Sequence, residues 1–265
     1  MESLKVVLAG FTSHHTMGNG MDIFDFFTSR NILYGRGRFD EIVPLAARYG
    51  KCVCLLTGGR SLEVSGRLDL LNSRLADQNL DSLHVTITSE PVAEDIDAAT
   101  ALARQQGADV VIAIGGGSVL DAGKAIAALL TNGGDVLDYL EGVGRGQSIT
   151  RPSAPLIAVP TTAGTGSEAT KNAVIGNRAH TFKKSMRSEH MLPLVALVDP
   201  ALTDGCPPVV TAACGMDTIA QLLESFTSMK ANPLTDALAV QGLTHARRLP
   251  DLTTEPGNAK ARDAM

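Results

Sequence analysis

Tryptophan is absent from this 265-residue chain, and aromatic residues make up only 4% of it. Aromatics this sparse, set beside 26 glycines and abundant Ala, Val and Leu, suit an α/β protein better than a β-sandwich. Cysteine is also scarce. Cys52, Cys54, Cys206 and Cys214 are the only four, and they show neither C-x-x-C nor zinc-type spacing. That excludes a disulfide-stapled miniprotein and reads as small apolar fillers kept reduced in a cytoplasmic protein. Positive charge is not in excess, with 23 Lys and Arg against 28 Asp and Glu and a net charge of -5. This balance gives no support to a nucleic-acid or anionic-membrane partner. No apolar run approaches the roughly 18 residues needed to span a bilayer. The stretch Val6-Val7-Leu8-Ala9 is too short for a signal-peptide core. What remains is a 44% apolar chain, long enough to bury one large core or two small ones.

Residues 1–20 show no clear period and are read as a disordered leader. The adjacent His14 and His15 lack the fixed geometry of a metal site there. From Ile32 onward, short apolar runs alternate with helix-period segments. Strands are expected at 32–35, 52–56, 83–88, 110–114, 155–159, 173–175 and 194–198. Helices are expected at 39–49, 61–76 with Ser61 as cap, 92–106 and from the glycine turn through 130. The run Val110-Val111-Ile112-Ala113-Ile114 is unbroken, as in a central strand buried on both faces of a parallel sheet. Alternation of this kind predicts an open, mainly parallel sheet with flanking helices. Beyond Pro200 strand signals vanish and 211–228 and 233–248 look helical. The chain therefore divides into a sheet domain over 21–203 and the start of an all-α domain over 204–265.

Two loops carry chemistry. Gly115-Gly116-Gly117-Ser118 joins the buried strand to a helix N-terminus. A pyrophosphate needs close backbone approach, free N–H groups and the positive end of a helix dipole, and such a turn supplies all three. The spacing is not G-x-G-x-x-G, and tight packing alone also explains many turns of this type. Asp121 and Lys124 follow, three apart on one side of the helix. The segment 160–168 (PTTAGTGSE) leaves another strand and gathers hydroxyls and glycines at a carboxyl edge, where open parallel sheets bind ligands. An ordinary solvated turn is the alternative.

Together, 114–124 (IGGGSVLDAGK) and 160–168 resemble the iron-containing (group III) alcohol dehydrogenases. Further matches follow in order at 190–193 (HMLP), 195–203 (VALVDPALT), 215–218 (GMDT) and 231–238 (ANPLTDAL). The similarity covers about 27–265. It implies a Rossmann-like domain binding NAD(P), a helical domain binding a divalent metal such as iron or zinc, and a small alcohol or aldehyde substrate. By matching positions, Gly116, Gly117, Ser118 and Asp121 hold the cofactor phosphates and ribose, and Thr161, Thr162, Thr165 and Lys183 complete the nucleotide site. Asp217 matches the first metal ligand. Position 221, one turn on and usually His, is Gln221, a poorer ligand for iron or zinc. The family's two remaining histidine ligands would fall beyond Met265, so the helical domain is expected to be incomplete.

The loop after the second strand carries Gly58, Gly59, Arg60 and Ser61, with no carboxylate for a ribose 2′-hydroxyl. Arg60 and Ser61 have the chemistry to receive a 2′-phosphate, which tilts the reading to NADP over NAD. A solvated loop arginine is the plainer alternative. The expectation is thus an NAD(P)-dependent, metal-assisted alcohol or aldehyde oxidoreductase that transfers hydride between nicotinamide C4 and an alcohol or carbonyl, forming a homo-oligomer. The alternatives are a maleylacetate-reductase-like enzyme or a hydroxyacid–oxoacid transhydrogenase of the same superfamily, or a non-catalytic nucleotide-binding fragment.

Overall fold

The structure is a computed structural model describing residues 23–179 and 181–265. The leader expected over 1–20 lies outside the described residues. Eight strands are described: β1 Asn31–Tyr34, β2 Cys52–Thr57, β3 Asp81–Thr86, β4 Val110–Gly115, β5 Leu156–Pro160, β6 Asn172–Gly176, β7 Lys183–Arg187 and β8 Val195–Val198. Helices α1 Ile42–Ala46, α2 Ser61–Val64, α3 Arg67–Asp77, α4 Ala93–Gln105, α5 Gly117–Asn132 and α6 Val136–Tyr139 lie between them. After β8 only helices are described: α7 Pro208–Thr227, α8 Pro233–Ala246, α9 Leu249–Thr254 and α10 Ala259–Ala264, with short 3-10 turns elsewhere. No helix among the described residues is long and apolar enough to cross a membrane.

Six strands form one parallel sheet in the order β1-β8-β5-β4-β2-β3. The apolar run of β4 behaves as its composition demands, every residue being buried. Its side chains alternate between two cores. Val111 and Ala113 join the core under α4 and α5, whereas Val110, Ile112 and Ile114 join the core under α1, α2 and α3. The sheet is therefore the middle layer of three.

Four local expectations change. The helix expected at 61–76 is two helices, broken at Gly66, whose φ of 70° lies in the left-handed region that glycine tolerates. Ser61 is the first helical residue and Arg60 occupies the cap position without a side-chain cap bond. The helix expected at 39–49 begins as a 3-10 turn, Arg38–Glu41, and ends as α1 at Ala46. The strand at 173–175 is real but leaves the main sheet. As β6 it pairs antiparallel with β7, a strand that sequence reasoning did not find.

Candidate functional site

Strand order places the functional loops. From β2 the chain goes to β3 on one side, then returns to place β4 on the other. A parallel sheet whose order reverses in this way opens a crevice at the carboxyl ends of the strands flanking the switch, here β2 and β4. The loop after β2 carries Gly58, Gly59, Arg60 and Ser61, and the loop after β4 carries the glycine turn. Because β5 lies beside β4, Thr161, Thr162 and Thr165 continue the same edge. Backbone bonds tie the three loops together. The Gly58 N–H donates to the Ile114 carbonyl at 3.3 Å, and the Thr161 N–H donates to the Gly115 carbonyl at 3.0 Å.

The turn is crowded enough to demand glycine. A Cβ on Gly117 would stand 2.8 Å from Thr165 Cγ2 and 3.0 Å from its hydroxyl, and one on Gly116 would stand 3.4 Å from Thr162 Oγ1. Gly116 caps α5 without a side chain. The Val119 and Leu120 N–H groups return to the Gly116 carbonyl at 3.0 and 3.2 Å. The N–H groups of Gly117 and Ser118 precede any intrahelical partner and face the edge at the positive end of a 16-residue helix. The arrangement sets these N–H groups opposite threonine hydroxyls, the geometry that an anion cradle requires.

The other expected residues have distinct placements. Arg60 is 86% exposed in its side chain and only 3.8 Å from Glu63, a loose surface pair of small energetic worth. Lys183 opens β7 on the off-sheet hairpin, and its ammonium donates to Glu90 at 2.6 Å. Glu90 belongs to the loop that leaves β3, so Lys183 sits on the flank of the edge.

Asp121 does not reach into the crevice with a free carboxylate. Its Oδ1 accepts from Ser167 Oγ at 2.5 Å and its Oδ2 accepts from the Val174 N–H at 2.9 Å. One turn on, Lys124 has a fully buried side chain 3.0 Å from Asp121. Burial drives the lysine pKa down and Asp121 opposes that shift. Nearby, burial pushes the Glu168 carboxyl up, partly countered by its own backbone and by Lys124. Sequence reasoning noted Lys124 but gave it no task. The available signal was the one cation in a helix whose only other charged residue is Asp121, one turn before it.

Asp217 and Gln221 share one face of α7, which packs on the Thr/Gly loop. The Thr218 hydroxyl reaches the Ala163 carbonyl at 3.4 Å, and a Cβ on Gly164 would meet the Cys214 carbonyl at 2.9 Å. The Gln221 amide nitrogen donates to Asp217 Oδ2 at 2.8 Å and to the Gly164 carbonyl at 3.4 Å. With two acceptors around that nitrogen, it is the amide nitrogen of Gln221, not its oxygen, that faces Asp217. Among the described residues no cluster of three His, Cys, Asp or Glu could hold a metal. The residues present therefore do not fit an iron or zinc centre, which takes three or four ligands. We expect protein treated with a chelator to bind dinucleotide as tightly as untreated protein. A loss of binding restored by zinc or iron(II) would contradict this. The ring of His245 contacts Gln241 at 2.9 Å, and neither it nor His190 belongs to a metal-ligand cluster among the described residues. A cleft of about 820 Å³ is lined by Phe24, Phe27, Lys171, Lys230 and Asn232, among others, and by no glycine-turn residue.

Known proteins share this fold. The sequence profile described as iron-containing alcohol dehydrogenase matches residues 29–200. The chain is 31% identical over 258 residues to alcohol dehydrogenase 4 of Schizosaccharomyces pombe, covering 97% of this chain and 60% of that protein. It is 32% identical over 243 residues to the NAD-dependent methanol dehydrogenase of Bacillus methanolicus, covering 91% and 63%. Its fold matches the crystal structure of sulfoacetaldehyde reductase from Bifidobacterium kashiwanohense in complex with NAD+, with a TM-score of 0.81, 32% identity, and coverage of 92% of this chain and 64% of that one. The chain thus spans about 60% of the length of these relatives.

Proposed function

The chain belongs to the iron-containing alcohol dehydrogenase family, and on that premise we propose that its carboxyl-edge cradle binds a nicotinamide dinucleotide for hydride exchange with a small alcohol or aldehyde. The observation that carries this reading is the meeting of three loops at the switch point, with Gly117 so close to Thr165 that an added Cβ would stand 2.8 Å from its methyl carbon. The cofactor supplies the hydride chemistry; the protein supplies binding, orientation and electrostatics. In the oxidative direction an alcohol gives up a hydride to nicotinamide C4 and a proton, leaving an aldehyde and the reduced dinucleotide. The Gly117 and Ser118 N–H groups bind the pyrophosphate, and the Thr161, Thr162 and Thr165 hydroxyls orient the rest of the dinucleotide along the edge. Because the described residues make no metal centre, no step is assigned to a metal.

The test is a fluorescence titration with reduced dinucleotide beside an alcohol-oxidation assay. The absence of tryptophan leaves the dihydronicotinamide signal clean. A protein that binds neither NADH nor NADPH defeats the proposal; binding without turnover supports a nucleotide-binding role alone.

Preference follows from the loop after β2. It offers no carboxylate from 58 to 62, and the exposed Arg60 guanidinium is committed only to a loose pair. We propose that NADP is favoured, although two similar proteins carry NAD in their descriptions. Arg60→Ala should weaken NADPH binding about tenfold, the worth of one charge-assisted contact of roughly 1.4 kcal/mol, and leave NADH binding unchanged. Equal affinity of the parent protein for the two cofactors would defeat this preference.

A further inference from the structure

We propose that Lys124, Asp121 and Ser167 form a buried clasp that sets the spacing between the glycine turn and Thr165, making all three positioning residues for the dinucleotide cradle. This rests on the dinucleotide reading above.

The geometry starts from an anomaly. In α5 every residue from Val119 to Leu129 except Asp121 is buried, and the one cation among them is Lys124. Burying an ammonium is costly unless each proton finds an acceptor. Here Lys124 Nζ donates to the Ser167 carbonyl at 2.9 Å, to the Thr170 hydroxyl at 2.9 Å and to the Asn172 carbonyl. Its three protons thus reach three points of one loop, and Asp121 stands 3.0 Å away as counter-charge. An apolar side chain would fill the same position without any desolvation cost. What it would not do is fix the loop's place along the helix.

Ser167 is the joint. Its hydroxyl donates to Asp121 at 2.5 Å, its carbonyl accepts from Lys124, and its N–H donates to the Thr165 hydroxyl at 3.2 Å. The last of these bonds directs Thr165, whose methyl and hydroxyl face Gly117. Asp121 also takes the Val174 N–H at 2.9 Å, so the clasp holds the loop at both ends. Residues 121 and 124 lie on the first turns of the same helix whose N-terminus is the cradle. A shift of the loop along α5 therefore moves Thr165 relative to Gly117 by the same amount. The clasp converts helix rigidity into a fixed width for the cradle.

Ser167→Ala isolates this role, because Lys124 keeps its bond to the residue-167 carbonyl and Thr165 keeps its bond from the residue-167 N–H. Only the link to Asp121 is lost. We expect reduced-dinucleotide affinity to fall about tenfold, the effect of losing one hydrogen bond to a carboxylate, with a melting temperature within a few degrees of the parent. Ser167→Thr restores the hydroxyl and should recover affinity to within about twofold. Asp121→Asn, which keeps the size and removes the charge, should weaken binding at least as much as Ser167→Ala. A residue that only stabilises the fold would lower the melting temperature and leave affinity unchanged well below it. Parent binding with equal affinity in Ser167→Ala and Asp121→Asn overturns the clasp while leaving the dinucleotide reading standing. A parent protein that binds no dinucleotide overturns both.

Discussion

Gly117→Ala should fold and lose dinucleotide binding by at least about tenfold. At the first position of α5 alanine is the better helix former, by about 1 kcal/mol over glycine in a helix interior. Against that gain stands the new methyl, 2.8 Å from Thr165 Cγ2 and 3.0 Å from Thr165 Oγ1. Overpacking of this kind costs about 1–3 kcal/mol, so stability changes little either way. Relief requires Thr165 to turn or its loop to retreat, and the added methyl stands beside the N–H groups proposed above to hold the pyrophosphate. The penalty therefore falls on binding. Titration with NADPH and NADH, alongside thermal melting, separates the two quantities; unchanged affinity for both cofactors would show that the glycine turn does not hold phosphate.

The second large effect is on the fold. Gly123→Val should lower the melting temperature by about 6–12 °C. Gly123 is where α5 rests on the sheet, and a Cβ there would lie 2.7 Å from the Ala113 methyl and 3.5 Å from Leu156 Cδ1. Ala113 and Leu156 belong to β4 and β5, the two strands under the helix. Valine forces helix and sheet apart along a closely packed line, at a cost of about 3 kcal/mol. In a domain of this size each kcal/mol moves the midpoint by roughly 2–4 °C. Ala113→Gly in the Gly123→Val background removes the opposing methyl and should return part of the loss, because residues in contact couple energetically. A double variant no more stable than the single one would show that the strain lies elsewhere.

Some elements were legible because their signals are local. The β4 run is apolar at every position, and only a strand covered on both faces uses such a run. The glycine turn reads as a strand-to-helix junction because three glycines in a row end that short apolar run just before a longer segment of helix length. The helices of 208–227 and 233–246 carry Pro at their first turns, and Asn232 caps the second by accepting from the Leu234 and Thr235 N–H groups at 3.1 Å.

Other elements were illegible because their cause lies far away in the chain. The strand β7 reads KKSMR, with only Met186 buried; its extended form comes from pairing with β6. Similarly, β3 begins at Asp81, two residues before the first apolar residue of the run, because the ladder along β2 pairs Cys52 with Asp81. The break at Gly66 was readable in principle, but the apolar period continues through it and hides it.

The same division holds for the site. Sequence alone determined which residue types line the sheet's carboxyl edge: glycines in the turn after β4, threonines in the loop after β5, and an arginine with no carboxylate beside it after β2. Tertiary structure decided which of them meet. Strand order put β5 beside β4 and brought Thr165 against Gly117. The hairpin carried Lys183 to Glu90 on the flank, and the loop at 167–174 turned back to occupy both oxygens of Asp121. The reason is physical: a residue's chemistry is a property of its own side chain, whereas its partner is fixed by sheet order and helix packing, which depend on contacts across the whole chain.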